Sequence, residues 1–316
     1  MKKQKLKGKY KMNNKNKELI EKIENLKRKK KACILAHNYQ LGEVQDIADF
    51  VGDSLELSQK AARTDAEVIV FCGVHFMAET ASIICPDKIV LLPDQHAGCP
   101  LANMVTLEAL QAKKRENVGS PVVCYINSTA EIKAESDICC TSANALKVVE
   151  HIDGSYPIIF VPDQYLGGYV AEKTKRKMIL WPGYCPTHVR ILASDIVRLK
   201  KEYPRAKVVV HPECRPEVTA IADEVLSTGG MCRYARESAA EEIIVGTEIG
   251  IIYRLRRENP DKKFIPASEQ AICSDMKLIT LEKVLLSLEE MKYRVRVSPK
   301  VAIKARKTIE RMLQIC

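Results

Sequence analysis

The sequence predicts an α/β fold made of three small parallel-sheet units around a pseudo-threefold axis, with the functional site at the centre. Three observations lead to this prediction: apolar strands, helix starts and cysteines each occur three times in the 316-residue chain, at intervals of 86 or 88 residues. A repeat of this length indicates one supersecondary unit used several times. Parallel sheets bind ligands beyond the carboxyl ends of their strands, so three such units can share one central site.

The first set consists of apolar strands that end in polar residues, and the paired polar ends are His37 and Tyr39, Tyr125 and Asn127, and His211 and Glu213. A second strand, a helix and a third strand follow in each unit. We predict the second and third strands at 68–71 and 89–92, at 158–161 and 178–181, and at 243–245 and 264–265. Alternating strands and helices predict small parallel sheets covered on both faces.

The second set consists of three small hydroxyl residues, each placed where a helical pattern begins: Ser54, Ser142 and Thr228. A helix N-terminus carries free amides and a partial positive charge, and it therefore attracts anions. We expect these hydroxyls to bind carboxylate or phosphate groups. The alternative is that they only cap their helices, which is a common role for Ser and Thr.

The third set consists of Cys99, Cys185 and Cys273, which follow the third strand of each unit. No two of the twelve cysteines are spaced C-x-x-C, so the sequence lacks the usual signature of a zinc ribbon or a thioredoxin-type centre. Three converging thiolates could hold zinc, with His96 or His188 as the fourth ligand, or an iron–sulfur cluster with one open iron. Ordinary buried core thiols are the remaining alternative.

Charge and hydropathy patterns divide the chain further. Eight of the 50 basic residues and no acidic residue lie in positions 1–17, which leaves 42 basic and 40 acidic residues elsewhere. Such a lysine run is typical of a disordered tail. We predict a tail over 1–17 without a catalytic role, α/β units over 18–115, 116–202 and 203–279, and a C-terminal helix over 280–316 that packs back on the first unit.

The composition also limits the kind of protein. Hydrophobic residues make up 46% and charged residues 28%, which is typical of a globular chain. No apolar stretch approaches the roughly 20 residues of a membrane span, and no apolar segment follows the charged N-terminus as it does in a secretory signal. We therefore expect a soluble cytoplasmic protein without disulfides and without a membrane partner.

An ordered series of short motifs resembles the quinolinate synthase family. The motifs are Ala36-His37-Asn38-Tyr39, Gly52-Asp53-Ser54, Phe76-Met77-Ala78-Glu79-Thr80, Ala97-Gly98-Cys99, Tyr125-Ile126-Asn127, Trp181-Pro182-Gly183-Tyr184-Cys185, His188, His211-Pro212-Glu213, Gly246-Thr247-Glu248 and Cys273-Ser274-Asp275-Met276-Lys277. The resemblance runs from about residue 18 to the C-terminus. No single tripeptide is specific, but the whole series is. The one departure is Ser274-Asp275, where the family resemblance leads us to expect Pro-Asn.

The resemblance implies both the cofactor and the reaction. It implies an oxygen-sensitive [4Fe–4S] cluster held by Cys99, Cys185 and Cys273, with one open iron. It implies a transferase or lyase type of enzyme that condenses iminoaspartate with dihydroxyacetone phosphate to quinolinate, releasing phosphate and two waters, in NAD biosynthesis. It further implies a functional link to an aspartate oxidase or dehydrogenase that produces iminoaspartate, and three α/β domains around the cluster.

Roles for individual residues follow from this chemistry. We expect Glu213 to be the general acid/base, because enamine attack and the dehydrations need proton transfer near neutral pH. His37 and His211 could bind phosphate or relay protons, His188 could lie beside the open iron, and Tyr39 could donate a hydrogen bond to the triose. The predicted substrate-binding residues are His37, Ser54, Tyr125, Asn127, Ser142, His211, Glu213 and Thr228.

Three other functions stay open on the sequence alone. An aconitase-like hydro-lyase would use the same open-iron chemistry. The lysine-rich tail suggests a cluster-containing nucleic-acid-binding regulator, although the nearly neutral remainder of the chain leads us to expect no specific nucleic-acid partner. A structural zinc protein is the third alternative.

Overall fold

The computed structural model describes residues 14–315 and contains three four-stranded sheets, each covered by helices. The first part of the chain contains α1 (Asn14–Lys29), β1 (Ala32–His37), α2 (Gly42–Ile47), β2 (Phe50–Gly52), α3 (Ser54–Arg63), β3 (Val68–Cys72), α4 (His75–Ile84), β4 (Ile89–Leu91) and α5 (Leu107–Glu116). The second contains β5 (Val122–Tyr125), α6 (Ala130–Glu135), β6 (Ile138–Cys140), α7 (Ala145–Glu150), β7 (Ile158–Val161), α8 (Gln164–Thr174), β8 (Met178–Leu180) and α9 (Ala193–Glu202). The third contains β9 (Lys207–Val210), α10 (Pro216–Thr219), β10 (Glu224–Val225), α11 (Thr228–Glu237), β11 (Glu242–Gly246), α12 (Ile251–Glu258), β12 (Lys263–Pro266), α13 (Leu281–Glu290) and α14 (Pro299–Gln314).

All three sheets are parallel and share one strand order. The orders are β2-β1-β3-β4, β6-β5-β7-β8 and β10-β9-β11-β12. This result confirms the predicted α/β class with three small parallel sheets. The prediction of three strands in each unit was incomplete, because β2, β6 and β10 contain only two or three residues. Strands of that length are too short to produce a recognisable hydropathy pattern.

One side-chain hydrogen bond occurs at the equivalent position in each of the three sheets. The side chains of Asp49, Asp137 and Asp223 each accept a hydrogen bond from a backbone amide of the central strand, and each bond is 2.8 Å long. The donors are the amides of Ile34, Val122 and Val208. These aspartates stand 88 and 86 residues apart, which is the spacing of the strand repeat.

We expect Asp137→Ala to lower the free energy of unfolding by about 1 kcal/mol, because the amide of Val122 loses its acceptor. Chemical denaturation of the purified variant measures this loss. Asp261 is exposed and makes no hydrogen bond within the described residues, so Asp261→Ala serves as the control and changes stability by less than about 0.5 kcal/mol. Equal stability of the two variants would contradict a structural role for the repeated aspartate.

The hydrophobic core follows the sheets. Central strands such as β3 are buried at every position, as expected where helices cover both faces of a parallel sheet. One large apolar cluster extends through the first two sheets and into the third, and a smaller one lies between α9, α10 and the third sheet. Among residues 14–315, no helix has the length and apolar character that crossing a lipid bilayer requires.

The two ends of the chain differ from the sequence-based expectations. Helix α1 begins at Asn14, so the last four residues of the predicted tail are helical, while residues 1–13 lie outside the described part of the chain. Two helices, not one, follow the third sheet. Helix α13 packs on α1, whereas α14 packs on α6 and β6 of the second part as well as on α4 of the first. The unit boundaries themselves stay a prediction.

Candidate functional site

Residues at the ends of three different sheets meet in one buried cluster of aromatic and imidazole rings. The ring centroids of His37 and Tyr39 lie 4.6 Å apart, and those of Tyr39 and His188 lie 6.1 Å apart. His188 stacks on His211 at a centroid distance of 4.7 Å. His37 ends β1, His188 lies beyond β8 and His211 follows β9. The structure therefore brings these four predicted residues together.

His37 and His211 occupy equivalent turns and have the same local geometry. The Nδ1 atom of His37 accepts a hydrogen bond from the Tyr39 amide at 3.2 Å, and Nδ1 of His211 accepts one from the Glu213 amide at 3.4 Å. Burial lowers the pKa of both imidazoles to about 3, so both rings are neutral. The proton of each ring then resides on Nε2, and Nε2 of His211 lies 3.1 Å from the Ser142 hydroxyl.

The carboxylate of Glu213 is buried among hydrogen-bond donors. Its Oε2 lies 2.7 Å from Nδ1 of His188, and its Oε1 accepts a hydrogen bond from Asn127 at 3.3 Å. Tyr125 is a further hydrogen-bonding neighbour. Burial alone would raise the pKa of Glu213, but the charge interactions with His188 and His211 and the hydrogen bonds from His188 and Tyr125 outweigh it and hold the pKa at about 2. Glu213 is therefore an ionised carboxylate at neutral pH.

His188 connects the carboxylate to the other sheets through both ring nitrogens. Its Nδ1 lies 3.1 Å from the sulfur of Cys185 as well as close to Glu213. Its Nε2 lies 2.8 Å from the Thr247 hydroxyl and 3.3 Å from the Tyr39 hydroxyl. Tyr39 and Thr247 also contact each other at 2.5 Å. From the sequence we quoted Thr247 only as part of a motif and assigned it no role, although its position directly after β11 was a signal for a site residue.

The three hydroxyl residues are not helix caps. Ser54 and Thr228 are the first helical residues of α3 and α11, whose caps are Asp53 and Ser227. Ser142 precedes the first residue of α7, Ala145, by three positions, so the predicted helix start there was wrong. Ser142 contacts His211, and Thr228 accepts a hydrogen bond from Asn38 at 2.8 Å. None of the three hydroxyls therefore caps its helix, and the alternative interpretation was wrong.

One carboxylate occupies the N-termini of two helices. Asp53 accepts hydrogen bonds from the amides of Leu55 and Glu56 in α3, at 3.1 and 3.0 Å. Its other oxygen lies 3.1 Å from the Ser227 hydroxyl and 3.3 Å from the Gly229 amide of α11. The helix amides that we expected to bind substrate anions are thus already used at this position. Any anion binding near α3 and α11 must depend more on side chains.

Further polar side chains, to which we assigned no role from the sequence, hold the site together. Arg254 donates to Asn38 at 2.7 Å, and Asn38 donates to Thr228, so α12 fixes the orientation of that hydroxyl. Glu248 is fully buried, forms an ion pair with Lys277 at 2.9 Å and accepts a hydrogen bond from the Cys273 amide at 3.1 Å. Both Asn38 and Glu248 follow a strand end, where ligand-binding residues are common.

The three repeated cysteines differ from all other cysteines of the described chain. Cys99, Cys185 and Cys273 are half-buried, whereas the other eight described cysteines, including Cys139 and Cys140, are buried. Burial together with the nearby Cys273 and Glu213 raises the pKa of Cys99 to about 12. Burial, Glu213 and Cys99 also raise the pKa of Cys185. Burial also raises the pKa of Cys273, so the thiolate form of each of the three requires a positive partner.

Backbone contacts fix the loops that carry these cysteines. The Gly98 amide donates to the Asp275 side chain at 3.2 Å, which joins the loop of Cys99 to the loop of Cys273. The loop of Cys185 is joined to the start of α8, where the Gln164 amide donates to the Gly183 carbonyl at 2.8 Å. These hydrogen bonds restrict the movement of the loops that carry Cys99, Cys185 and Cys273.

One tight group of donor atoms could hold a single metal ion. Ligand atoms of Cys185, His188 and Glu213 lie within 4.8 Å of one another, and within residues 14–315 this is the only group of three such donors found. His96, considered above as a zinc ligand, is exposed and contacts Gln95 instead. A cluster of several metal ions is larger than one ion, so its ligands need not come this close together.

Comparison with known proteins decides the family. The family model described as Quinolinate synthetase A protein matches residues 21–314. The chain belongs to the quinolinate synthase family. The quinolinate synthase of Dehalococcoides mccartyi strain CBDB1 is 65% identical over 294 residues, covering 93% of this chain and 97% of that protein. The quinolinate synthase of Methanosarcina barkeri strain Fusaro is 53% identical over 298 residues, covering 94% of this chain and 98% of that protein.

Contacts join most of the predicted site residues in this member of the quinolinate synthase family. The connected residues are His37, Tyr39, Tyr125, Asn127, Ser142, Cys185, His188, His211 and Glu213. Thr228 joins the site through Asn38, while the Ser54 hydroxyl makes no hydrogen bond within the described residues. In this network a proton can be shared between the Glu213 carboxylate and the His188 imidazole. The neutral imidazoles of His37 and His211 lie around that pair.

Proposed function

We propose that this family member condenses iminoaspartate with dihydroxyacetone phosphate to quinolinate, releasing one phosphate and two waters, as a step of NAD biosynthesis. The observation that carries the proposal is the buried contact of 2.7 Å between Glu213 and His188, placed beside the Cys185 sulfur. An enzyme that oxidises aspartate, either an oxidase or a dehydrogenase, must supply the iminoaspartate.

Glu213 and His188 are suited to act as a proton-transfer pair. Conversion of iminoaspartate to its enamine removes a proton from carbon, and each dehydration returns a proton to a departing hydroxyl. As a carboxylate, Glu213 can accept a proton at Oε2, and Nδ1 of His188 is close enough to share it. Nε2 of His188 contacts Tyr39 and Thr247, which gives the proton a path toward a substrate oxygen.

Neutral donors and one unused acceptor are suited to bind the substrates. His37 and His211 present Nε2–H groups without adding charge, and Ser142 and Thr228 present hydroxyls. The side-chain oxygen of Asn127 is buried and has no hydrogen-bond partner in the described chain. An unpaired buried acceptor costs about 1–3 kcal/mol, and a substrate hydroxyl or amine at this position would remove that cost.

The residues also fit a [4Fe–4S] cluster, for which we propose Cys99, Cys185 and Cys273 as ligands. They are the only half-buried cysteines of the described chain, and burial raises the pKa of each thiol, so each thiolate would be stabilised by a metal. With three protein ligands one iron is left open, and when bound the cluster supplies a Lewis acid for a substrate hydroxyl or carboxylate. The single-ion group around His188 supports zinc as the alternative.

Anaerobic purification followed by an assay of both products tests the proposal. We expect iron and acid-labile sulfide in equal amounts, and quinolinate and phosphate formed only when iminoaspartate and dihydroxyacetone phosphate are both present. Zinc without sulfide would contradict the cluster. Iron and sulfide without quinolinate, but with hydration or dehydration of citrate, would favour the aconitase-like alternative.

We expect Ser142→Ala and Thr228→Ala each to raise the Michaelis constant about 10- to 150-fold while the cluster absorption is retained. Each variant removes one charge-assisted hydrogen bond to a carboxylate or phosphate. Ser54→Ala tests the third predicted position in the same way. Steady-state kinetics and melting temperatures measure the effects.

Thr106→Ala is the control for the hydroxyl variants, because Thr106 caps α5 through the Ala109 amide and is exposed. We expect that variant to lose about 1 kcal/mol of stability with unchanged kinetics. If the Ser142 and Thr228 variants behaved like Thr106→Ala, these hydroxyls would not belong to the substrate-binding site.

A further inference from the structure

We propose a second ligand site, a basic groove between the first sheet and the C-terminal helix that binds a nucleoside diphosphate or triphosphate. The groove has a volume of about 690 Å³ and is bounded by the end of α4, the segment 294–297 and α14 from Pro299 to Glu310. Cavities of 300–1,000 Å³ are typical of sites for small organic ligands. No residue of the groove belongs to the site described above.

The groove concentrates positive charge. Five cationic side chains line it, namely Lys88, Arg294, Arg296, Arg306 and Lys307, against the single carboxylate of Glu310. Its formal charge is therefore +4, although residues 18–316 together carry only 42 basic and 40 acidic residues. The charge is thus a local feature and not a consequence of a basic chain. A concave cluster of one sign attracts counter-ions of the other.

Three of these cations have no partner in the part of the chain that the structure describes. The side chains of Arg294, Arg296 and Lys307 are exposed and make no hydrogen bond or ion pair within residues 14–315. The other two are fixed by the backbone. Arg306 donates through Nε and Nη2 to the Ile83 carbonyl at 2.9 and 2.6 Å, and Lys88 donates to the Thr64 carbonyl. The groove therefore combines two anchored cations with three that are free to bind a ligand.

The backbone under the free arginines is also fixed. The segment that carries Arg294 and Arg296 runs antiparallel along the edge of β4, where the Val295 amide donates to the Val90 carbonyl at 2.9 Å. Ser82 of α4 donates to the Val295 carbonyl at 3.2 Å. Arg294 and Arg296 precede and follow the buried Val295, so the side chains of both arginines extend from the face of the segment opposite to the Val295 side chain. Successive residues i and i+2 of an extended segment share one face.

Apolar surface beside the cations indicates what kind of anion fits. Ile303 lines the groove with 63% of its surface exposed, and Val297, Pro299 and Ala302 lie next to it. A simple inorganic anion would leave this surface in water. A nucleotide has a flat aromatic base for the apolar part and phosphates for the cations.

The charge of the groove favours phosphate over carboxylate. Arginine binds carboxylate and phosphate oxygens alike in a bidentate manner, so the number of charges decides between them. A charge of +4 matches a diphosphate or triphosphate better than a single carboxylate. The N-terminus of α14, which begins at Pro299 inside the groove, adds a partial positive charge in the same direction.

Equilibrium titration of the full chain with ADP tests the proposal. We expect ADP to bind, and adenosine and pyrophosphate each to bind at least about 10-fold more weakly. Adenosine lacks the phosphates that contact the cations, and pyrophosphate lacks the base that covers the apolar surface. The double variant Arg294→Glu/Arg296→Glu should weaken ADP binding at least about 30-fold through loss of two bidentate contacts. Lys307→Glu provides an independent single change in the same groove.

The matched control is the double variant Lys177→Glu/Lys304→Glu, which changes the net charge by the same amount at exposed lysines outside the groove. We expect its ADP affinity to stay within about twofold of wild type. ADP binding that is displaced by dihydroxyacetone phosphate, or that is equal in the two double variants, would overturn the proposal. So would pyrophosphate binding as tight as that of ADP, or preferential binding of a single-stranded oligonucleotide with a steep salt dependence.

Discussion

Replacing Cys99, Cys185 or Cys273 with alanine is expected to abolish bound iron and acid-labile sulfide in each single variant. An iron–sulfur cubane normally has four cysteine ligands, and with three it already has one open position. Two thiolates would not hold it through purification. The eight other cysteines of the described chain are buried, so none of them is placed to replace a lost ligand. Anaerobic purification with iron, sulfide and absorption measurements records the result.

Cys139→Ala is the control, because Cys139 is buried, contacts Thr308 and has no counterpart in the other two units. We expect this variant to keep its iron. Loss of iron from Cys139→Ala alone would show that the ligand assignment is wrong. Metal that survives in Cys99→Ala and Cys273→Ala but is lost in Cys185→Ala would identify the single-ion group of Cys185, His188 and Glu213 as the true site.

Glu213→Gln is expected to reduce turnover by about 10²-fold or more, while cluster content and substrate affinity are retained. The substitution preserves the shape of the side chain and can keep the contact with Asn127. It removes the negative charge and the ability to take up a proton beside Nδ1 of His188. Single-turnover and steady-state rates, together with the iron content, separate a loss of chemistry from a loss of the cofactor.

Glu217→Gln is the matched control for this prediction. Glu217 lies four residues further along, on α10, and is exposed, so the same chemical change there should leave turnover unaffected. If Glu213→Gln turned over at nearly the wild-type rate, the acid/base role would belong to another group. His211, 3.7 Å from the Glu213 carboxylate, would then be the first candidate.

The sequence was sufficient for the parts of the fold that depend on long regular patterns. The strand ends at His37, Tyr125 and His211 could be aligned because fully apolar strands preceded each of them at a constant interval. The short edge strands could not be found, because two or three residues give no periodicity. The second C-terminal helix was missed because the sequence from 280 to 316 was interpreted as one helix, although Tyr293 adopts a positive φ of 60° between the two.

For the site, the sequence predicted residue types at strand ends but not their mutual contacts. The repeat indicated that Glu213 and Cys185 lie near the centre, and His188 was placed there because it follows Cys185 by three residues. Only the structure shows the contact of 2.7 Å between His188 and Glu213. The helix starts were predicted as anion sites, yet Asp53 occupies two of them, because its pairing with Ser227 joins segments 174 residues apart. Contacts of this kind depend on how the units pack, which no local pattern records.

The distribution of the site over three sheets links ligand binding to the stability of the whole molecule. Tyr39 follows the first sheet, His188 the second and Glu213 the third, so a ligand that contacts all three cannot bind while any one sheet has separated from the others. By thermodynamic linkage, ligand at 100 times its dissociation constant adds about 2.7 kcal/mol to the free energy of every opening that breaks the site. Amide hydrogen exchange in all three sheets should slow together when ligand binds, rather than only in the nearest one.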